Sequence, residues 1–329
     1  MHLPEAYAAA IEVAVNRIPG RDLTRAADTL SGRYRDAGLD RPLTDAERAA
    51  YLVVRAPATF AAVTAALAEL RTERPELSVR RVLDLGAGPG IASWAALETF
   101  DGLAELTLVE RDRGFAALGR EILDAAAPAA TAIAWKHADL RTGSGWEGGT
   151  YDLVLISYAL GELLPDLRAR VLDAAWRATS ADGGALVIVE PGTPRHFEGV
   201  IDARTWLLTH GATIAAPCPH AAACPMAAAG DWCHFSARVP RTKEHRRLKA
   251  GSLSYEDEKF SYLIATHSPA ATMASSLSSS RIVRHPYVEK GRITLTRCMP
   301  DATLATTPIG RNDREAFRRA RKARWGDVW

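Results

Sequence analysis

The chain has 329 residues, 41 of them Lys or Arg and 39 Asp or Glu, for a formal net charge of +2; overall charge therefore gives no case for nucleic-acid binding, which has to rest on local clusters. Hydrophobic residues make up 47% and charged residues 24%, as in an ordinary globular chain of two domains or of one large domain with appendages. No apolar run approaches the roughly 18–20 residues of a membrane span. The start, with Glu5 and Glu12, resembles neither a signal peptide nor an Arg-rich transit peptide, so a cytoplasmic address is expected.

Residues 4–75 read as helical. They are rich in Ala, and apolar residues recur at three- and four-residue spacing in EAYAAAIEVAV and TFAAVTAALAEL. Pro19-Gly20 breaks the first helix, and Thr44-x-x-Glu47 forms a capping box ahead of AERAAYLVVRAP. From residue 80 the pattern changes to strands alternating with helices. VLDLGAGPG, LTLVERD, TAIAWKHADL, YDLVLISYAL and ALVIVEPG read as strands, the first ending in its glycines, separated by IASWAALETF, GFAALGREILDAA and LRARVLDAAWRAT as helices. This alternation predicts a doubly wound α/β domain with a parallel sheet. Beyond it lie a cysteine-bearing stretch, short strand-like runs (FSYLIATH, RITLTRCM), a serine run SSLSSS read as a loop, and a basic tail. The expected organisation is a helical region over 1–78, a Rossmann-like domain over 79–195, and a cysteine and basic region over 196–329.

Gly86, Gly88 and Gly90 follow the strand VLDL directly. Glycines there let the backbone turn sharply and approach a ligand, and the next helix points its N-terminus at that ligand. Glu110 ends the second strand, 24 residues after Gly86, where a carboxylate can accept from both ribose hydroxyls. Asp139 ends the third strand and could hold an adenine amino group. The G-x-G-x-G spacing differs from that of dinucleotide folds, and no P-loop lysine is present. DLGAGPG resembles the first motif of class I methyltransferases. The candidate S-adenosylmethionine-binding residues are Asp84, Gly86, Gly88, Gly90, Glu110, Asp139 and Ser157. The end of the fourth strand, Ser157-Tyr158-Ala159-Leu160-Gly161-Glu162, lacks the Asp/Asn-Pro-Pro-aromatic motif of exocyclic-amine methylation. Residues 1–217 hold no cysteine for covalent attack on a pyrimidine. Glu162 could act as a base, although capping or surface exposure is the simpler reading, and no catalytic residue is assigned.

The four cysteines are Cys218, Cys224, Cys233 and Cys298, spaced C-x5-C-x8-C with the fourth far downstream. They lack the paired C-x2-C knuckles of common zinc sites. Four thiolates can hold zinc or an iron–sulfur cluster equally well by spacing, with His220 and His234 as further possible ligands. Two basic runs, 238–249 with six Lys/Arg and 311–324 with seven, match what phosphate neutralisation requires or are solvated helix faces. Phe235, Tyr255, Phe260, Tyr262 and Trp325 lie among them and could stack on bases or pack in the core, the core being the better reading for Phe260 and Tyr262.

Taken together these motifs resemble the methyltransferase-like family that assists assembly of the small ribosomal subunit, known in mitochondria and bacteria. The resemblance covers about residues 45–329. It rests on VRAPATFAAV, VLDLGAGPG, SYALGEL, VEPGTP, the loop CPH…CP…WCHFS, HRRLKAGSLSYEDEKFSYL and RKARWGD. It implies a Rossmann-like class I methyltransferase domain with a helical N-terminal region and a cluster-bearing C-terminal region. It further implies S-adenosylmethionine as cofactor and a structural 4Fe-4S cluster on Cys218, Cys224, Cys233 and Cys298, ahead of zinc. The implied partner is small-subunit ribosomal RNA or a pre-ribosomal particle, and the chain would act as assembly factor or rRNA methyltransferase. The missing presequence fits a bacterial member. The rivals are a non-catalytic RNA-binding assembly factor and a small-molecule methyltransferase with a zinc site.

Overall fold

The computed structural model describes residues 3–36, 42–249, 251–267 and 279–329. Four helices open the chain: α1 (Glu5–Val15), α2 (Gly20–Asp36), α3 (Asp45–Val54) and α4 (Ala56–Glu73). Residues 16–19, ending in Pro19, separate the first two, and Gly20 opens α2. The capping box forms as its sequence predicts, with the Thr44 amide donating to Glu47 Oε2 at 2.8 Å and the Glu47 amide donating to Thr44 Oγ1 at 3.2 Å. Small residues let α4 bury Ala58, Ala61, Ala62 and Ala66 close against the sheet domain.

The α/β part then runs β1 (Arg81–Leu85), α5 (Ile91–Thr99), β2 (Glu105–Val109), α6 (Arg113–Ala126), β3 (Ala132–Lys136), β4 (Leu153–Ser157), α7 (Pro165–Ala178), β5 (Ala185–Pro191), α8 (Pro194–Thr209) and β6 (Thr213–Ala216). After it come α9 (Pro225–Ala228), β7 (Phe235–Pro240), α10 (Lys243–Leu248) and the long β8 (Tyr255–Thr266). The main sheet has the order β3-β2-β1-β4-β5-β8-β6, with β7 paired to β8. β1 to β5 are parallel, while β8 lies antiparallel between β5 and β6. This is the Rossmann-like methyltransferase fold, and the chain after residue 195 supplies the last strands of the same sheet. Helices cover both faces, so β1 and β4 read as continuous apolar runs: Val82, Leu83, Leu85, Val154 and Ile156 are fully buried. Each contributes about 1.5–3 kcal/mol of burial.

A second, four-stranded antiparallel sheet closes the chain: β9 (Arg281–Ile282), β10 (Tyr287–Glu289), β11 (Arg292–Cys298) and β12 (Leu304–Gly310). Ile282, Ile293, Leu295 and Ile309 on one face pack on Ala320 of α11 (Arg314–Ala320). Residues 275–278 of the serine run expected as a loop lie outside the described residues. Among those described, no single helix is long and apolar enough to cross a membrane; the pair α3–α4 passes on length and composition only as a bent unit, and its apolar residues form protein core.

The order of strands decides where a site can lie. The chain winds outward from β1 to β3, then returns to β4 on the other side of β1. A crevice therefore opens at the carboxyl ends of β1 and β4.

Candidate functional site

At the end of β1 the backbone turns through Gly86, Gly88 and Gly90, with φ of 74°, 55° and 84°, into the N-terminus of α5. A Cβ on Gly86 would lie 2.7 Å from that of Ala159, so this turn packs directly on the loop after β4. Gly88 is the opposite case: a Cβ there meets nothing within 4 Å, because its face opens on a cleft of ≈ 1120 Å³. Asp84 braces the turn from behind. Its Oδ2 accepts from the Ser93 amide at 3.0 Å and the Ser93 hydroxyl at 2.8 Å, and burial pushes its carboxyl up to about 7.

Glu110 stands at the end of β2. Its Oε2 accepts from the Gly88 amide at 2.8 Å and its Oε1 from the Asp112 amide at 2.6 Å. Burial raises this carboxyl, and the two amides oppose the rise. A carboxylate offers about four lone-pair positions, so two remain for ligand hydroxyls. Asp139 accepts from Arg141 Nε at 2.9 Å and Nη2 at 2.6 Å, and that bond to Arg141 holds its carboxyl low. Of the residues predicted for the cofactor, Gly86, Gly88, Glu110, Asp139 and Ser157 line the cleft, whereas Asp84 and Gly90 sit behind it.

The far wall of the cleft was not legible as a site. Arg48 and Tyr51 from α3, Arg55 at the α3–α4 junction and Thr59 from α4 line it. Arg48 fixes those helices there through two bonds to Asp112, at 2.8 and 2.9 Å. Tyr158 adopts φ 54°, an uncommon conformation for a bulky residue that costs on the order of 1–3 kcal/mol. It is held by its hydroxyl, which donates to Glu258 Oε1 at 2.9 Å. Glu190, buried at the end of β5, accepts from the Leu160 amide at 2.8 Å and shapes the turn after β4; burial pushes it up to about 7. Glu162 is exposed on the cleft wall. The surrounding protein and Glu110 push its carboxyl upward, Arg111 opposes them, and its access to cleft water limits the shift. His196 completes this wall.

The four cysteines come from separate elements. Cys218 follows β6, Cys224 precedes α9, Cys233 precedes β7 and Cys298 ends β11. All four are free thiols and line one buried cavity together with Phe197, Met226 and Val283. Burial raises the thiols of Cys218 and Cys233 and takes Cys298 to about 12, with the neighbouring cysteines adding to each. Two buried guanidinium groups line the same cavity. Arg204 Nη2 donates to the carbonyls of His220 at 2.7 Å and Ala222 at 2.9 Å, while its Nε is buried without a partner. Arg281 donates to the Pro217 and Gly326 carbonyls at 3.1 and 2.8 Å and to Glu69 at 2.7 Å. Cys298 Sγ lies 3.3 Å from His220 Nε2. Among the described residues no group of three His, Cys, Asp or Glu is arranged to hold a metal ion. The donor set itself, four thiols beside two cations, suits a thiophilic metal or an iron–sulfur cluster.

The two basic runs part company. In 238–249, Arg238 pairs with Asp257 at 2.8 Å, and Arg241 and Lys249 pair with Glu256 at 2.7 and 2.9 Å; Arg247 pairs with Glu244. Four of its six cations thus have an acidic partner, so this run offers less unpaired charge to phosphates than its composition suggests. In the tail, Arg311, Arg314, Arg318, Arg321, Lys322 and Arg324 are exposed. Phe235, Phe260 and Tyr262 are buried and cannot stack on bases. Tyr255 lies under Arg238, with 4.1 Å from guanidinium to ring, and Trp325 packs between His234 and His285.

A family model described as mitochondrial small ribosomal subunit Rsm22 matches residues 45–329. The chain belongs to the Rsm22 family. It is 25% identical over 365 residues to the mitochondrial Rsm22-cox11 tandem protein 2 of Schizosaccharomyces pombe, covering 97% of this chain and 48% of that one. It is 26% identical over 296 residues to the human mitochondrial ribosome assembly protein METTL17, covering 84% of this chain and 61% of that one. The chain thus spans about half to three-fifths of the length of these relatives. Among solved structures it is similar to the Synechocystis magnesium protoporphyrin IX methyltransferase with bound SAH, at 14% identity and a TM-score of 0.43 over 75% of this chain and all of that one. Both relatives are mitochondrial by name, as is the Rsm22 family itself. That overturns the cytoplasmic address expected from the first residues, whose composition does not by itself specify a compartment.

Proposed function

We propose that this Rsm22-family chain binds small-subunit ribosomal RNA during subunit assembly, carries S-adenosylmethionine in the β1–β4 crevice, and is organised at its C-terminal end by a 4Fe-4S cluster on Cys218, Cys224, Cys233 and Cys298. The relatives' names support the assembly role. The observation that carries the RNA and cluster reading is the construction of the last sheet. β11 ends on Cys298 in the thiol cavity, and the same sheet packs on α11, whose tail presents exposed arginines. A cluster bound there would tie the loop 218–233 to β11 and set the direction of the basic tail. The open space before Gly88 and the free lone pairs of Glu110 support the cofactor.

One observation favours the second reading, a non-catalytic RNA-binding factor. Glu110 and Asp139 are already hydrogen-bonded within the protein, so a ligand gains less by binding them. Calorimetry with S-adenosylmethionine on wild type and Glu110→Ala separates the two. Binding that weakens at least tenfold in the variant supports the cofactor; no heat with either protein leaves the non-catalytic factor. Metal analysis of anaerobically purified protein tests the cluster: about four irons per chain are expected, and stoichiometric zinc without iron refutes it.

A further inference from the structure

We propose that His196 accepts the proton of the methyl acceptor, so that the cleft is built for a nucleotide group attacking through an N–H or O–H. This deepens the S-adenosylmethionine reading and rests on it. His196 lies in the first turn of α8, where Thr193 caps the helix. The ring is fixed on two sides. Its Nδ1 is 2.7 Å from Thr193 Oγ1, and its other edge lies against Gly161 in the turn that follows β4. A Cβ on Gly161 would stand 2.5 Å from His196 Cδ2, 3.1 Å from His196 Nε2 and 2.8 Å from Glu190 Oε2; only a glycine lets this edge of the imidazole approach. The ring is therefore fitted to the turn beyond the strand end that carries Ser157 and Tyr158, on the wall of the same cleft as Gly86, Gly88 and Glu110.

The chemistry follows from that placement. When Nδ1–H donates to Thr193 Oγ1, Nε2 keeps its lone pair. Burial, followed by the cations Arg195 on its own helix, Arg168 on α7 and Arg55 at the α3–α4 junction, lowers the imidazole's pKa, which favours the neutral ring that a proton acceptor needs. The carboxyls of Glu190, from β5, and Glu162, from the turn after β4, line the same cleft. In the transfer, the acceptor nitrogen or oxygen forms a bond to the methyl carbon and the carbon–sulfur bond breaks. The electron pair of that bond stays on sulfur, giving neutral S-adenosylhomocysteine, and the acceptor's proton goes to His196 Nε2. The exposed Arg195 on the cleft wall suits an acceptor that carries phosphate.

The test is nitrogen and carbon NMR of histidine-labelled protein, with His196→Gln used to assign the resonance and a thermal melt to confirm its fold. The ring should show the tautomer with Nδ1 protonated; the opposite tautomer overturns the proposal. Its pKa should fall further with S-adenosylmethionine than with S-adenosylhomocysteine, because only the former places a positive sulfonium nearby. Equal pKa values, with both ligands shown to bind by calorimetry, overturn the role of His196 and leave the cofactor reading standing. Absence of binding by either ligand overturns both. With methyl-labelled S-adenosylmethionine and transcribed small-subunit ribosomal RNA, His196→Gln should slow transfer about 10²–10⁴-fold with cofactor affinity unchanged and the pH dependence near neutrality lost. A wild-type rate in that variant also overturns it.

Discussion

Two glycines of one loop do different work. Gly86 has positive φ and would set a Cβ 2.7 Å from Ala159, so Gly86→Ala should lower unfolding stability by about 2 kcal/mol or more through strain and overpacking. Gly88 has open space before it; Gly88→Ala should cost only about 1–2 kcal/mol for its backbone and weaken S-adenosylmethionine binding more than it weakens folding. Urea unfolding and calorimetry on the two variants check this, and wild-type affinity in Gly88→Ala would place the ligand elsewhere. Asp84 gives a pH signature. Its folded carboxyl titrates at about 7, against about 3.9 when unfolded. Between these values the folded state holds a proton that the unfolded state has released. Asp84 therefore lowers stability as pH rises through this window, and its cost is constant above it. Asp84→Asn removes that slope, so its stability relative to wild type should rise between about pH 4 and 7 in urea titrations; a difference independent of pH would show that Asp84 does not titrate there.

At the scale of elements, Arg281 joins three parts of the chain. It reaches Glu69 on α4, the Pro217 carbonyl beside Cys218 and the Gly326 carbonyl in the tail. Arg281→Ala takes a buried guanidinium away from the buried Pro217 carbonyl and the half-buried Glu69 and Gly326, and a loss of about 3–5 kcal/mol is expected, measured by denaturant unfolding. A loss below about 1 kcal/mol would mean that water replaces the guanidinium. The two basic runs should also separate by experiment. Replacing Arg318, Arg321, Lys322 and Arg324 by Ala should weaken RNA binding and flatten its log–log salt dependence by about 0.7–0.9 for each phosphate no longer neutralised. Replacing Arg241 and Lys249 should instead lower stability, because Glu256, which burial would raise but His245, Lys249 and Arg241 hold far below the usual carboxylate range, then loses its partners. An unchanged salt slope in the tail variant would remove α11 and its tail from the RNA surface.

At the scale of the molecule, the thiol cavity is where distant segments meet. Cys233 and Cys298 are separated by 64 intervening residues, and a group binding all four thiols closes that loop as a cross-link would. Cys298→Ser should therefore lower iron content and RNA binding together while S-adenosylmethionine binding at the β1–β4 crevice survives. Full RNA binding by an iron-free Cys298→Ser protein would show that the cluster does not organise the RNA surface.

Local pattern, though it did not reach α8 to α11, was enough for the N-terminal helices, the three helices between the parallel strands, the five parallel strands and the glycine turn, because apolar periodicity and turn residues act over a few positions. It also sufficed for the Thr44 capping box and for Glu110 at a strand end. It could not assign β8 to the middle of the main sheet: a strand's partners depend on which apolar edge remains open once the others have paired, and β8 arrives some sixty residues after β5. Nor could it separate two basic runs of similar composition. Charge counts do not reveal that Asp257 and Glu256 lie across the ladder from one run, while among the described residues no such acids pair with the other. His196 and Gly161 look unrelated in the sequence. Only the folding of β5 beside β4 brings the imidazole onto the bare backbone of the glycine, because the fit depends on a contact between side chain and main chain that spacing does not record.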